Sequence, residues 1–101
     1  MIHELKTYPE YFKAVISGEK PFEIRKNDRN FKVGDYIALN EYSKESGYTG
    51  ESALYEITYV MTDTEYVKEG FAVLGIKQCC IVPGYWNVLA KIMNGVVTDE
   101  T

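Results

Sequence analysis

The sequence predicts an α+β domain: a small, mostly antiparallel β-barrel with one early flanking helix and a C-terminal amphipathic helix. Three observations carry that expectation. The chain has 101 residues, enough for one modest core and too few for two. Nine tyrosines contribute to a 14% aromatic content, and tyrosine favours half-buried strand positions, where its ring packs and its hydroxyl reaches water. Runs of β-branched and aromatic residues recur between short polar segments, whereas helical spacing of apolar residues occurs only twice.

"HELKT" is a short extended start with Leu5 pointing inward. Thr7 and Glu10 have the spacing of a capping box, and Tyr11, Phe12, Val15 and Ile16 follow at helical spacing. Gly18 stands where a left-handed cap would end a helix over Tyr8 to Ser17. "PFEIR" alternates with period two, so Phe22 and Ile24 are expected to face the core and Glu23 and Arg25 the opposite side. After the turn-forming "KNDRN", "FKVGD" supplies Phe31 and Val33 before a Gly-Asp turn. "YIALNEY", "ALYEITYVMTD" and "FAVLGIKQC" read as strands, and the polar "SKESGYTGE" and "TEYVKEG" between them as loops. "VPG" at 82–84 stops the last strand, and Trp86, Leu89, Ile92 and Met93 then predict a helix over about 85–94 that packs on the sheet.

Composition narrows the function classes. With 46% hydrophobic and 26% charged residues the chain is an ordinary globular protein, not a disordered or collagen-like one. No apolar run approaches the roughly 18–20 residues of a membrane span, and "MIHELKTYPE" lacks the regions of a secretory signal. The expectation is a cytoplasmic protein with no membrane partner. The two cysteines, Cys79 and Cys80, are adjacent, which gives neither a metal-ligand spacing nor a disulfide framework; strand alternation would turn one inward and one outward. His3 is the only histidine. No metal and no cofactor is therefore expected.

Positive charge is local. Residues 20–32 hold five bases against two acids, while the remaining residues hold six bases against thirteen acids. A broad surface for tracking a long duplex is excluded, because such binding draws on many phosphate contacts. The plain alternative is a solvated strand face, with Glu23 and Arg25 an intrastrand pair worth less than about 1 kcal/mol. A pocket for one phosphate, one nucleotide or a short single strand is the functional one.

Gly18, Lys20, Glu23 and Arg25 spell G-x-K-x-x-E-x-R. This resembles the signature of the ASCH (activating-signal-cointegrator homology) domains, in the PUA-like barrel superfamily. Together with "HELKTYPEYFKAVISGEKPFEIRKNDRNFKVGDYIALNEY", "YTG", "ITYV" and "GFAVLGI", it is similar to a family of small bacterial and phage proteins of unknown function grouped with those domains. The resemblance covers roughly residues 2–77, and divides the chain into a barrel domain over 1–78 and an extension over 79–101 packed on it. It implies a cleft beside the early helix, holding the Lys-Glu-Arg group, and a ligand that is RNA or a nucleotide.

The residue chemistry agrees with that implication. Arg25 offers a planar fork for phosphate or a base edge, Lys20 a point charge, and Glu23 an acceptor for Arg25 or an exocyclic amine. Lys26 adds a cation beside them, and Lys6 a further one from the first strand. The resemblance places His3 near the same cleft, against its plain role as a hydrogen-bonded strand residue. Tyr48, between glycines in "SGYTG", is placed to stack on a base or to sit as an exposed turn residue. Some ASCH relatives are amidohydrolases that deacetylate acetylated cytidine with a lysine, a threonine three residues later and a distant glutamate. Lys20 matches the lysine, but Glu23 stands at the threonine's place. A binding module is the first expectation, and a small hydrolase using Lys20 on a modified nucleoside the second.

Overall fold

The computed structural model describes residues 1–83 and 97–98. Six strands and one helix follow in the order β1 (Ile2–Thr7), α1 (Pro9–Ile16), β2 (Phe22–Lys26), β3 (Tyr36–Ser43), β4 (Gly47–Met61), β5 (Phe71–Pro83) and β6 (Val97–Thr98). They form one sheet in the order β2-β5-β4-β3-β1-β6. The pairs β2/β5, β5/β4 and β4/β3 are antiparallel, whereas β1 runs parallel to both β3 and β6. Among the described residues no helix is long and apolar enough to cross a membrane.

The sheet is curled into a half-barrel, and one contact demonstrates the curl. Three strands separate β2 from β1, which in a flat sheet would hold them roughly 19 Å apart at about 4.8 Å per strand. Nevertheless Arg25 on β2 donates from Nη2 to the Lys6 carbonyl at the end of β1, at 2.8 Å. Register irregularities near Asn40–Tyr42, Leu54–Tyr55 and Ile57–Tyr59 bend the long strands, as bulges do. The concave face buries Leu5, Ile37, Leu39, Ala53, Tyr55, Ile57, Ala72 and Leu74, with Phe12 and Val15 of α1 laid over them. Tyr55 reaches the helix as well, its hydroxyl donating to the Val15 carbonyl at 3.3 Å.

Several expectations are corrected. The capping box does not form: the N-cap of α1 is Tyr8, with no side-chain cap, and Pro9 opens the helix. Pro at the first turn needs no amide partner and presets φ, so the helix starts one residue later than the Thr7 reading. The C-terminal end agrees with expectation, since Ser17 caps it and Gly18 follows at φ 86°. "SKESGYTGE" is not a loop. It is a hairpin, with Tyr42 paired to Tyr48 and Ser43 to Gly47, and the cross-strand aromatic pair extends the ladder through a polar segment. Val33 is exposed, and only Phe31 of that pair enters the core. Tyr11 likewise leaves the helix's buried face.

The largest correction is to β2. Phe22 and Ile24 are exposed, Ile24 at 54%, while Glu23 is only 3% exposed. The period is as predicted and the phase is reversed. The inward positions of β2 lie against the Lys6 carbonyl and the Thr7 hydroxyl, which accept hydrogen bonds from Arg25 and which an apolar side chain would leave unpaired. The predicted helix over 85–94 lies outside the described residues. β5 itself continues across residues 78–79, pairing with β4 as far as Pro83. Cys79 is exposed on it.

Candidate functional site

Lys20 is brought to the cleft by the way α1 ends. Gly18, in the left-handed region, lets its amide return to the Val15 carbonyl, and the Lys20 amide then bonds to the Ala14 carbonyl. The chain turns back along the helix and enters β2 with Lys20 beside Glu23. Lys20 Nζ donates to Glu23 Oε1 at 2.7 Å, and Arg25 Nε donates to Glu23 Oε2 at 3.0 Å. The carboxylate is buried and both its oxygens are engaged by cations, the condition under which a buried charge is tolerated. Arg25 also donates from Nη2 to Thr7 Oγ1 at 3.2 Å. Its guanidinium is therefore a tie between β2 and the end of β1.

Above this ion cluster opens a cleft of about 460 Å³ lined by Lys6, Thr7, Tyr8, Tyr11, Lys20, Glu23, Ile24 and Arg25. Tyr8 and Tyr11 stand exposed on its rim. Lys20 Nζ lies 5.6 Å from the Tyr11 ring centroid and 5.2 Å from that of Phe22, within cation–π range of both rings. Lys20 retains 20% side-chain exposure, which leaves part of its ammonium facing the opening. The Tyr55 phenol is pushed up first by burial and then by the negative charge of Glu23.

Four of the seven predicted residues, Lys6, Lys20, Glu23 and Arg25, meet in this cleft. Lys26 does not line it; by strand alternation it shares the exposed face of Phe22 and Ile24. His3 is fully buried away from the lining, Nε2 donating to Asp35 Oδ2 at 3.0 Å and the ring edge-to-face with Phe31. Burial pushes the Asp35 carboxyl up, but the hydrogen bond from His3 and the N-terminal ammonium together hold it below its ordinary value. Tyr48 lies outside the main cleft and lines a second cavity of about 160 Å³ with Asn40, Glu41, Thr49, Gly50, Glu51 and Ser52. Among the described residues no three His, Cys, Asp or Glu side chains converge as a metal site.

Sequence reasoning missed Ile24 as a lining residue, through the reversed phase of β2, and with it Thr7, Tyr8 and Tyr11. Thr7 is read as a cap and Tyr11 as core because each fits a helical pattern. The signal that could have found them is Pro9, which fixes the helix start at the strand end and turns "TYPEY" into the mouth of the cleft.

Residues 2–76 match the family model described as a domain of unknown function, DUF3850. The chain belongs to this family. The match contains every residue of the cleft. A relative, described as an uncharacterized 12.9 kDa protein in the GpA 3′ region of Escherichia phage P2, is 35% identical over 68 residues. That alignment takes in 67% of this chain but 62% of the phage protein, so the chain spans less than two thirds of its relative's length.

Proposed function

We propose that this DUF3850 chain is a cytoplasmic RNA- or nucleotide-binding module of the PUA-like ASCH type, with its ligand held in the Lys20–Glu23–Arg25 cleft. The observation that carries the reading is a buried carboxylate holding two cations at the floor of an open cleft whose rim is two exposed tyrosines. The volume is within the range of about 300–1,000 Å³ typical of small-molecule sites. A base stacks on Tyr8 or Tyr11, and its phosphate meets the Lys20 ammonium. Arg25, engaged with Glu23, Lys6 and Thr7, positions the floor. Lys20 is the cation that a ligand addresses.

A second reading, a small amidohydrolase acting on a modified nucleoside such as acetylated cytidine, is favoured by one observation. The hydroxyl that the motif lacks at position 23 is supplied to the same cleft by Thr7, beside Arg25. Thr7 Oγ1 accepts from Arg25 Nη2 and keeps its own proton to donate.

The test is a thermal-shift screen of the wild type and Lys20→Ala, each against its own ligand-free melting temperature, with nucleosides, nucleotides, acetylated cytidine and short RNA oligomers, and with product analysis of every well. A wild-type shift without product that is lost in Lys20→Ala is the expected result. Removing one charge-assisted contact of about 1.5–3 kcal/mol should weaken binding at least tenfold. Deacetylated product, absent with Lys20→Ala, would replace the binding reading with the hydrolase. A shift retained by the variant would move the site away from Lys20.

A further inference from the structure

Beyond the cleft, a second group of aromatic and cationic side chains gathers where β1 and β3 end side by side. Their parallel register sets Lys6 opposite Asn40 and Thr7 opposite Glu41, so both strands finish at the same end of the sheet. Lys6 Nζ lies 4.7 Å from the Tyr42 ring centroid, and Tyr42 packs edge-to-face with Tyr48 at 5.1 Å. From the β3–β4 turn, Lys44 places its Nζ 4.9 Å from the Tyr8 ring. Tyr8 and Lys6 belong to both groups, because they also line the cleft. Tyr11 is thus paired with Lys20, Tyr8 with Lys44, and Lys6 with Tyr42 and through it Tyr48, the shared Tyr8 and Lys6 joining the cleft to the second group. Tyr8, Tyr11 and Tyr48 are all exposed.

We infer that this is a second nucleotide subsite, and that the ligand is a short single strand of two or three nucleotides rather than a free mononucleotide. The inference rests on the nucleic-acid reading of the cleft. Single-strand binders alternate rings, on which successive bases stack, with cations that meet the intervening phosphates. A mononucleotide in the cleft leaves Lys44, Tyr42 and Tyr48 unused, since none of the three lines it. The track is also closed at its far end. The cavity beside Tyr48 is lined by Glu41 and Glu51, and Glu45 stands in the hairpin turn, so a longer backbone would run into carboxylates.

The deciding measurement is binding of the full chain, at constant low salt, to cytidine 5′-monophosphate and to cytidine oligomers of two, three, four and eight residues, in ribo and deoxyribo forms to identify the sugar. The expected result is a gain of between about fivefold and a hundredfold from one to three nucleotides, the range for one added stacked base, and a plateau thereafter. Lys44→Ala and Tyr48→Ala should bring the trinucleotide down towards the affinity of the mononucleotide, whereas Lys20→Ala should weaken every length. Tyr48→Leu, which keeps an apolar contact with Tyr42 but no ring face, gives the same readout if Tyr48→Ala fails to fold. Mononucleotide binding that depends on Lys20 with no gain in length keeps the cleft and overturns the second subsite. A steady rise through eight nucleotides also overturns it, in favour of a longer groove. Binding at no length sinks the nucleic-acid reading and this inference with it.

Discussion

β2 and β3 lie in one curled sheet with the same pleat, and only β2 shows it as an alternation of buried and exposed residues. β3 turns Ile37 and Leu39 into the apolar core and buries Ala38 and Asn40 on its other face as well, leaving only Tyr36 at its start exposed. β2 turns Glu23 and Arg25 inward and leaves Phe22 and Ile24 in solvent. The difference lies in what each strand faces. The inward side of β3 meets Leu5, Ile57 and the helix residues Phe12 and Val15, all apolar. That of β2, at the sheet's edge, meets a backbone carbonyl, a hydroxyl and an ammonium. The pleat therefore gives a strand two faces, and what lies against each face decides whether it is buried and by what kind of side chain.

The sharpest way to break the comparison is to truncate one inward residue on each strand. Leu39→Ala should cost about 2–5 kcal/mol by cavity formation, and Arg25→Ala about 3 kcal/mol or more by leaving the buried Glu23 with Lys20 alone, both read by chemical denaturation. Ile24→Ala, on the exposed face, should cost less than about 1 kcal/mol. A larger loss from Ile24→Ala than from Arg25→Ala would mean that β2 is buried the other way round.

pH sharpens the contrast at two acids, Glu4 on β1 and Asp35 in the turn before β3, which respond with opposite signs. Burial pushes the Glu4 carboxyl up, against a hydrogen bond from Asn40 that pulls it down. Its protonated form suits the fold, so its contribution is fully present below its ordinary value of 4.5 and is lost as pH rises through the raised one. Asp35, held below its ordinary 3.8 by His3 and the N-terminal ammonium against the pull of burial, contributes above that value. Its contribution is lost as pH falls through the lowered one. Stability measured from pH 2 to 7 should show Glu4→Gln gaining on the wild type as pH rises, and Asp35→Asn losing its deficit only in strong acid. A Glu4→Gln difference that does not change with pH would contradict the burial of that carboxyl.

The smallest expected effect is that of Lys26→Ala, within about 0.5 kcal/mol in stability and without loss of nucleotide binding. Lys26 is adjacent to Arg25 in sequence yet does not line the cleft. A loss of binding comparable to that of Lys20→Ala would extend the site along β2 past Ile24 to Lys26.

These contrasts also mark what could be read from the residues alone. The long strands, the early helix and its glycine stop were legible because periodicity and capping are local. Lys20, Glu23, Arg25 and Lys6 were legible as a group because three of them fall within six residues and Lys6 sits on the first strand. The phase of β2 was not, since it depends on Lys6 and Thr7, eighteen or nineteen residues away from Arg25. The hairpin through Tyr48 was hidden for a related reason. Its polar composition imitates a loop, and what orders it is the ring of Tyr42 across the ladder. His3, plausible for a cleft by its place in "HELK", is claimed instead by Asp35 from the far side of the chain.

The sharing of Glu23 also limits how this sequence can drift. Lys20 and Arg25 both answer to one carboxylate, and Arg25 answers in addition to Thr7. Any single step that removes Lys20, Glu23 or Arg25 leaves another of them short of a partner, and apolar residues at both 23 and 25 would still leave Lys20, the Lys6 carbonyl and the Thr7 hydroxyl without theirs. A change of this floor therefore requires coupled replacements at positions 7, 20, 23 and 25.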